Sequence, residues 1–162
     1  MRQHWMHILI AVGATLAAAG AGTWLYIWYY HPPLGPLPKV EVAAPAGFEM
    51  NVGHFVDFDL YTLSRAPGQG RRSSLVIFIG DHPQTLRPST GGSEKRDDVC
   101  GRSATWYAWQ KMGPERSLWQ EAHLSLPGHL GGHRIHAILS ADDPSEMELL
   151  ENVARTARLL PM

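Results

Sequence analysis

The sequence predicts an α+β protein in which one N-terminal transmembrane helix is followed by an antiparallel β-sheet packed by a C-terminal α-helix. Three observations predict it. Residues 8–30 hold no side chain that is charged at neutral pH. Residues 55–63, 118–126 and 134–140 alternate apolar with polar side chains, the period of a strand with two different faces. From Asp143 the pattern becomes that of a capped amphipathic helix.

The first segment, ILIAVGATLAAAGAGTWLYIWYY, would extend about 34 Å as a helix rising 1.5 Å per residue, against a hydrocarbon core of about 30 Å. Arg2 and the amino terminus precede it, and Lys39 is the only Lys or Arg in the next 15 residues. This bias puts the N-terminus inside. The expected organisation is a cytoplasmic N-terminus over 1–7, a span over 8–30, a Pro-rich linker over 31–39 and an extracytoplasmic domain over 40–162. Such a chain belongs in the bacterial inner membrane as a single-pass protein, its domain periplasmic or extracellular. A signal peptide cleaved near Ala19-Gly20-Ala21 is the alternative; cleavage there would leave TWLYIWYY as an exposed apolar tail.

Gly13, Ala17 and Ala21 recur every four residues and form a small-residue face for packing against another membrane helix. Trp5 at one end, and Trp24, Tyr26, Trp28, Tyr29 and Tyr30 at the other, suit the two headgroup layers of a lipid bilayer. Four prolines between Pro32 and Pro38 then stop any helix and favour an extended spacer.

Beyond the linker, Val56, Phe58 and Leu60 alternate with Asp57, Asp59 and Tyr61. Ser74 to Ile79, SLVIFI, is apolar on both faces and reads as an interior strand. The polar stretch Gly80 to Asp98 reads as a long, mobile loop. Strands follow over Ala104 to Lys111, Leu118 to Leu126 and Arg134 to Ser140, in an antiparallel meander. Asp143-Pro144-Ser145-Glu146 then supplies an N-cap, a proline at the first helical position and a glutamate three residues after the cap.

Charge and composition exclude several functions. The chain carries 14 Lys plus Arg against 15 Asp plus Glu, with no basic footprint for nucleic acid. Cys100 is the single cysteine, so an intramolecular disulfide, a CxxC redox pair and a cysteine zinc cage are excluded. His123, His129, His133 and His136 are close in sequence, and imidazole is a common metal ligand. His129, His133 and His136 are the candidate ligands, yet strand alternation places His133 and His136 on opposite faces, and no HExxH accompanies them. Asp81-His82 lacks a serine elbow or a phosphate loop, and reads as a turn. Asp57 and Asp59 read as the wet side of a strand. Trp106, Trp109 and Trp119, with Tyr107, are candidates for a protein interface.

The last strand running into the final helix, RIHAILSADDPSEMELLENVARTARLL, resembles the end of PsbP-like α/β domains. The resemblance covers residues 48–160 at the level of pattern and carries no site residue. It implies a noncatalytic accessory subunit of a larger membrane assembly. The function expected from the sequence is therefore a membrane-anchored accessory subunit without cofactor. It would pack its helix and outer domain against the other transmembrane subunits of a larger membrane complex, such as an energy-transducing assembly, photosynthetic or respiratory. The alternative is a tethered enzyme or a domain binding a metal or small ligand.

Overall fold

Alternation with period two continues through most of the chain after the linker, and strands dominate the fold accordingly. The computed structural model describes residues 36–66, 72–81, 85–86, 92–111, 117–127 and 132–160. Its strands are β1 (Val40–Glu41), β2 (Phe48–His54), β3 (Phe58–Arg65), β4 (Ser74–Gly80), β5 (Ser93–Val99), β6 (Arg102–Lys111), β7 (Ser117–Ser125), β8 (Arg134–Ala141) and β9 (Arg158–Leu159), with helix α1 (Pro144–Thr156) between the last two. Seven strands form one antiparallel sheet in the order β2-β3-β4-β8-β7-β6-β5. Two meanders, β2 to β4 and β5 to β8, thus meet where β4 pairs with β8. The two-residue strands β1 and β9 pair separately, Val40 opposite Leu159.

The predicted α+β class with a transmembrane helix is corrected by these observations. The described chain is mostly antiparallel β, 58% of it in strands, with one C-terminal helix. Among the described residues no helix is long and apolar enough to cross a membrane. Helix α1 has 13 residues, about 20 Å at 1.5 Å per residue, and a polar side. The segment read as a span, with Gly13, Ala17 and Ala21 and the aromatic positions Trp5, Trp24, Tyr26, Trp28, Tyr29 and Tyr30, lies outside the described residues.

Helix α1 starts where its cap requires. The Asp143 carboxylate accepts the Glu146 amide at 3.0 Å, and Pro144 occupies the first turn, where a missing N–H costs nothing. Met147, Leu150, Val153 and Ala154 lie buried on one side of α1. The sheet face toward it carries Leu63, Leu75, Ile77, Ile79, Ile135, Leu139 and Trp106, all nearly or fully buried. Full burial of Leu150 alone contributes about 1.5–3 kcal/mol. Both ends of the helix are tied to the sheet. Arg65 of β3 donates from Nε to Glu146 Oε2 at 3.1 Å and lies over the Phe48 ring at 4.5 Å. Arg155 donates to both oxygens of Asp97 on β5, at 3.0 and 2.7 Å.

Part of the stretch read as a loop, Ser93–Val99, is the edge strand β5. Its sequence, SEKRDDV, hides it because an edge strand needs no apolar outer row, and charge discourages pairing with another chain. The β5–β6 hairpin closes on Cys100 and Gly101, with φ of +52° and +69°, the two left-handed positions of a tight turn. The Cys100 amide donates to Ala154 O at 2.9 Å and joins this turn to α1.

Candidate functional site

The helix covers one face of the sheet only. The register assigns to the other face Phe58 and Leu60 of β3, Val76 and Phe78 of β4, His136 and Ile138 of β8, Trp119, Glu121 and His123 of β7, and Tyr107 and Trp109 of β6. Glu121 and His123 share that face because they are two residues apart on a strand. His123 lies directly opposite His136, which in turn lies opposite Phe78. The two imidazoles stack with centroids 4.1 Å apart and planes 12° from parallel.

Glu121 is 1% exposed and His136 3%, whereas the His123 side chain is about one-third exposed. Glu121 Oε1 lies 2.5 Å from His123 Nε2 and 3.2 Å from His136 Nε2. Its other oxygen accepts the Leu86 amide at 2.9 Å, so the segment after β4 orients the carboxylate. His136 Nε2 is buried and forms no hydrogen bond of ordinary geometry, with Glu121 Oε1 beside it at 3.2 Å. Burial, reinforced by neighbouring His123, pushes the His136 imidazole down to about 4 against the opposing pull of Glu121. His136 is therefore neutral at physiological pH.

Two cavities flank this cluster. One, of about 530 Å³, is lined by Phe58, Leu60, Val76, Phe78, Leu86 and Ile138, with Asp57, Asp81 and His136 as its polar groups. The other, of about 410 Å³, is more polar and is lined by Thr85, Thr105, Tyr107, Glu121, His123, Leu124, Ser125 and Arg134. An aromatic stack leads to the first: Phe55 on Phe58 at 4.3 Å, then Phe58 on Phe78 at 5.1 Å. Phe55 is half exposed and Val56 fully so. This is a largely apolar recess with a few convergent polar groups, the usual composition of a small-molecule site.

The sequence-predicted residues distribute as follows. His136 is in the cluster; His133 is apart from it, with Nδ1 3.1 Å from Asp81 Oδ1; His129 and His82 lie outside the described residues. Trp109 and Trp119 stack at 6.1 Å on the open face, with Tyr107 at 5.9 Å from Trp109. Trp106 is corrected from interface to core, since its register partner Ala122 places it on the helix face at 2% exposure. Asp59 is corrected likewise. It is buried and paired with His54 Nδ1 at 2.8 Å, because β3 starts at Phe58 and turns Asp59 toward the helix side. Cys100 is a packed thiol that burial pushes up to about 12, and so supplies no nucleophile at neutral pH.

Glu121 is a residue of this cluster that sequence reasoning did not single out, and His123 was named only for its closeness in sequence to the other histidines. Alternation puts His123 on the face opposite Leu124, and the signal that this second face is apolar too was SLVIFI, whose Val76 and Phe78 lie on it.

No family model matches the chain, and no curated protein matches it. A solved structure is similar: LpqN, involved in cell envelope biogenesis of Mycobacterium tuberculosis. Its TM-score is 0.52 and its identity 11%, over 81% of this chain and 88% of that one. The likeness is one of fold.

Proposed function

We propose that this chain is a noncatalytic, envelope-associated binding domain that takes a small, mainly apolar ligand on the face of the sheet that α1 leaves uncovered. The observation that carries this reading is the 530 Å³ cavity between β3, β4 and β8, walled by Phe58, Leu60, Val76, Phe78 and Ile138. Asp57 and Asp81 at its rim suit a ligand that carries a hydrogen-bond donor. Support for the envelope comes from the likeness in fold to LpqN, a protein involved in cell envelope biogenesis. A periplasmic or extracellular position for the domain belongs to the same proposal.

The test is a fluorescence titration with phenylnaphthylamine, an uncharged dye with one N–H donor. Wild-type protein should show saturable binding with one component that Val76→Trp, which fills the cavity, removes. Equal binding by wild type and V76W would refute the assignment.

An accessory subunit seated on a larger membrane complex is the second reading. It is favoured by Tyr107, Trp109 and Trp119, half-buried rings grouped on the same face, of which Tyr107 also lines the polar cavity. Trp109→Ala should then release co-purifying subunits while dye binding persists. Unchanged co-purification would leave the three rings as packing only.

A further inference from the structure

At the centre of the face opposite α1 the chemistry changes from apolar packing to nitrogen and oxygen donors. We propose that Glu121, His123 and His136 form a binding site for a divalent transition-metal ion of the zinc class. One donor atom from each residue lies within 4.8 Å of the other two. The site goes beyond the apolar recess, with which it shares His136, because it takes a different class of ligand.

The strongest observation is His136 Nε2, a polar atom without a hydrogen-bond partner on a residue 3% exposed. Leaving such an atom unsatisfied is costly, and a metal ion would satisfy it. The distances favour the same conclusion. With bonds of about 2.0–2.1 Å in a tetrahedral arrangement, two ligand atoms stand about 3.3 Å apart. Glu121 Oε1 and His136 Nε2 are 3.2 Å apart, so that edge of the polyhedron is already formed. The carboxylate is held by the Leu86 amide on Oε2, while Oε1 lies beside both imidazoles.

His123 is the ligand that must move. Its Nε2 is 2.5 Å from Glu121 Oε1, so this edge has to widen by about 0.8 Å to reach the tetrahedral spacing. The stacked rings also have to tilt, because lone pairs on parallel planes do not converge. His123 lines the 410 Å³ cavity and is about one-third exposed, so it has room for both changes. Two imidazoles and one carboxylate select zinc-like ions over calcium or magnesium, which take oxygen ligands. Three protein ligands leave a fourth position open, and the lining of both cavities by these residues gives it access to either.

The experiment is a calorimetric titration of chelator-treated, full-length protein with zinc sulfate, repeated with cobalt to read the visible band of tetrahedral Co(II). One equivalent should bind, and His123→Ala and His136→Ala should each weaken it by about 100-fold or more, at or above the loss typical of second-shell changes. His54→Ala, at an exposed histidine on β2, should leave it unchanged. H123A changes a partly exposed side chain and so keeps the test decisive if H136A does not fold. Absence of stoichiometric binding, or binding that survives H123A, would overturn the site. Dye binding in the neighbouring recess is read separately, so failure of one site does not imply failure of the other.

Discussion

Gly80→Ala tests the packing on which the apolar recess depends, and Gly53→Ala is its internal control. Both glycines sit in strands and lack the positive φ that would itself forbid alanine. A Cβ on Gly80 would lie 2.7 Å from Phe58 Cβ, 2.8 Å from Phe78 Cζ and 2.9 Å from the Asp57 carbonyl oxygen. Two of these three neighbours are backbone or first-carbon atoms and cannot rotate away. The three atoms nearest a Cβ on Gly53 all belong to the Phe55 ring, the first at 2.9 Å, and this half-exposed ring can yield by shifting on its stack with Phe58. Overpacking at Gly80 should cost about 1–3 kcal/mol. Replacing glycine recovers about 0.4–1 kcal/mol from the unfolded chain at either position. G53A should therefore be neutral or slightly stabilising, and G80A should be destabilised relative to it by about 1–3 kcal/mol, or about 3–10 °C in Tm. Urea denaturation followed by circular dichroism measures the difference. Equal midpoints for the two variants would refute the argument, because it predicts a rigid obstacle at one site and a flexible one at the other.

Three further outcomes follow from the fold. Leu150→Ala should lose about 2–5 kcal/mol in the same denaturation assay, since Leu150 is fully buried between α1 and the sheet; a loss below about 1 kcal/mol would mean that the helix is not seated there. The Arg155 guanidinium holds the Asp97 carboxyl down at about 2. The folded-state value lies below the ordinary one, so the stabilisation is present above about pH 4 and disappears as pH falls toward about 2. Wild type and Asp97→Asn should accordingly differ in Tm near neutral pH and converge in strong acid, and a constant gap would contradict the ion pair. Cys100, buried and with its thiol pushed up to about 12, should resist iodoacetamide until the protein unfolds; fast labelling of the native protein would show that the β5–β6 turn is open.

Strands whose faces differ were legible in the sequence. Alternation located β7 and β8 to within a residue or two, and the Asp143 cap located the start of α1. Strand β5 was hidden by its charges, whereas β2 carries the alternation of Phe48, Met50 and Val52 with Glu49, Asn51 and Gly53 and was overlooked in spite of it. The strand order was not legible either, because β4 reaches β8 across a long sequence separation that no local pattern encodes. The candidate site was lost for a related reason. His123 and His136 become neighbours through β7–β8 register, and Glu121 joins them by strand parity. Nothing in HLSLPGHLGGHRIH states that register, and the turn between the strands could be closed at several lengths.

The central claim is that the uncovered face binds an apolar ligand between β3, β4 and β8, and photo-crosslinking tests it most directly. A diazirine derivative of phenylnaphthylamine, irradiated on the full-length protein and mapped by peptide mass spectrometry, should label open-face positions of Phe58–Arg65, Ser74–Gly80 and Arg134–Ala141. That labelling should vanish in V76W. Label confined to residues 8–30 or to α1, or label on these strands unchanged by V76W, would contradict the account.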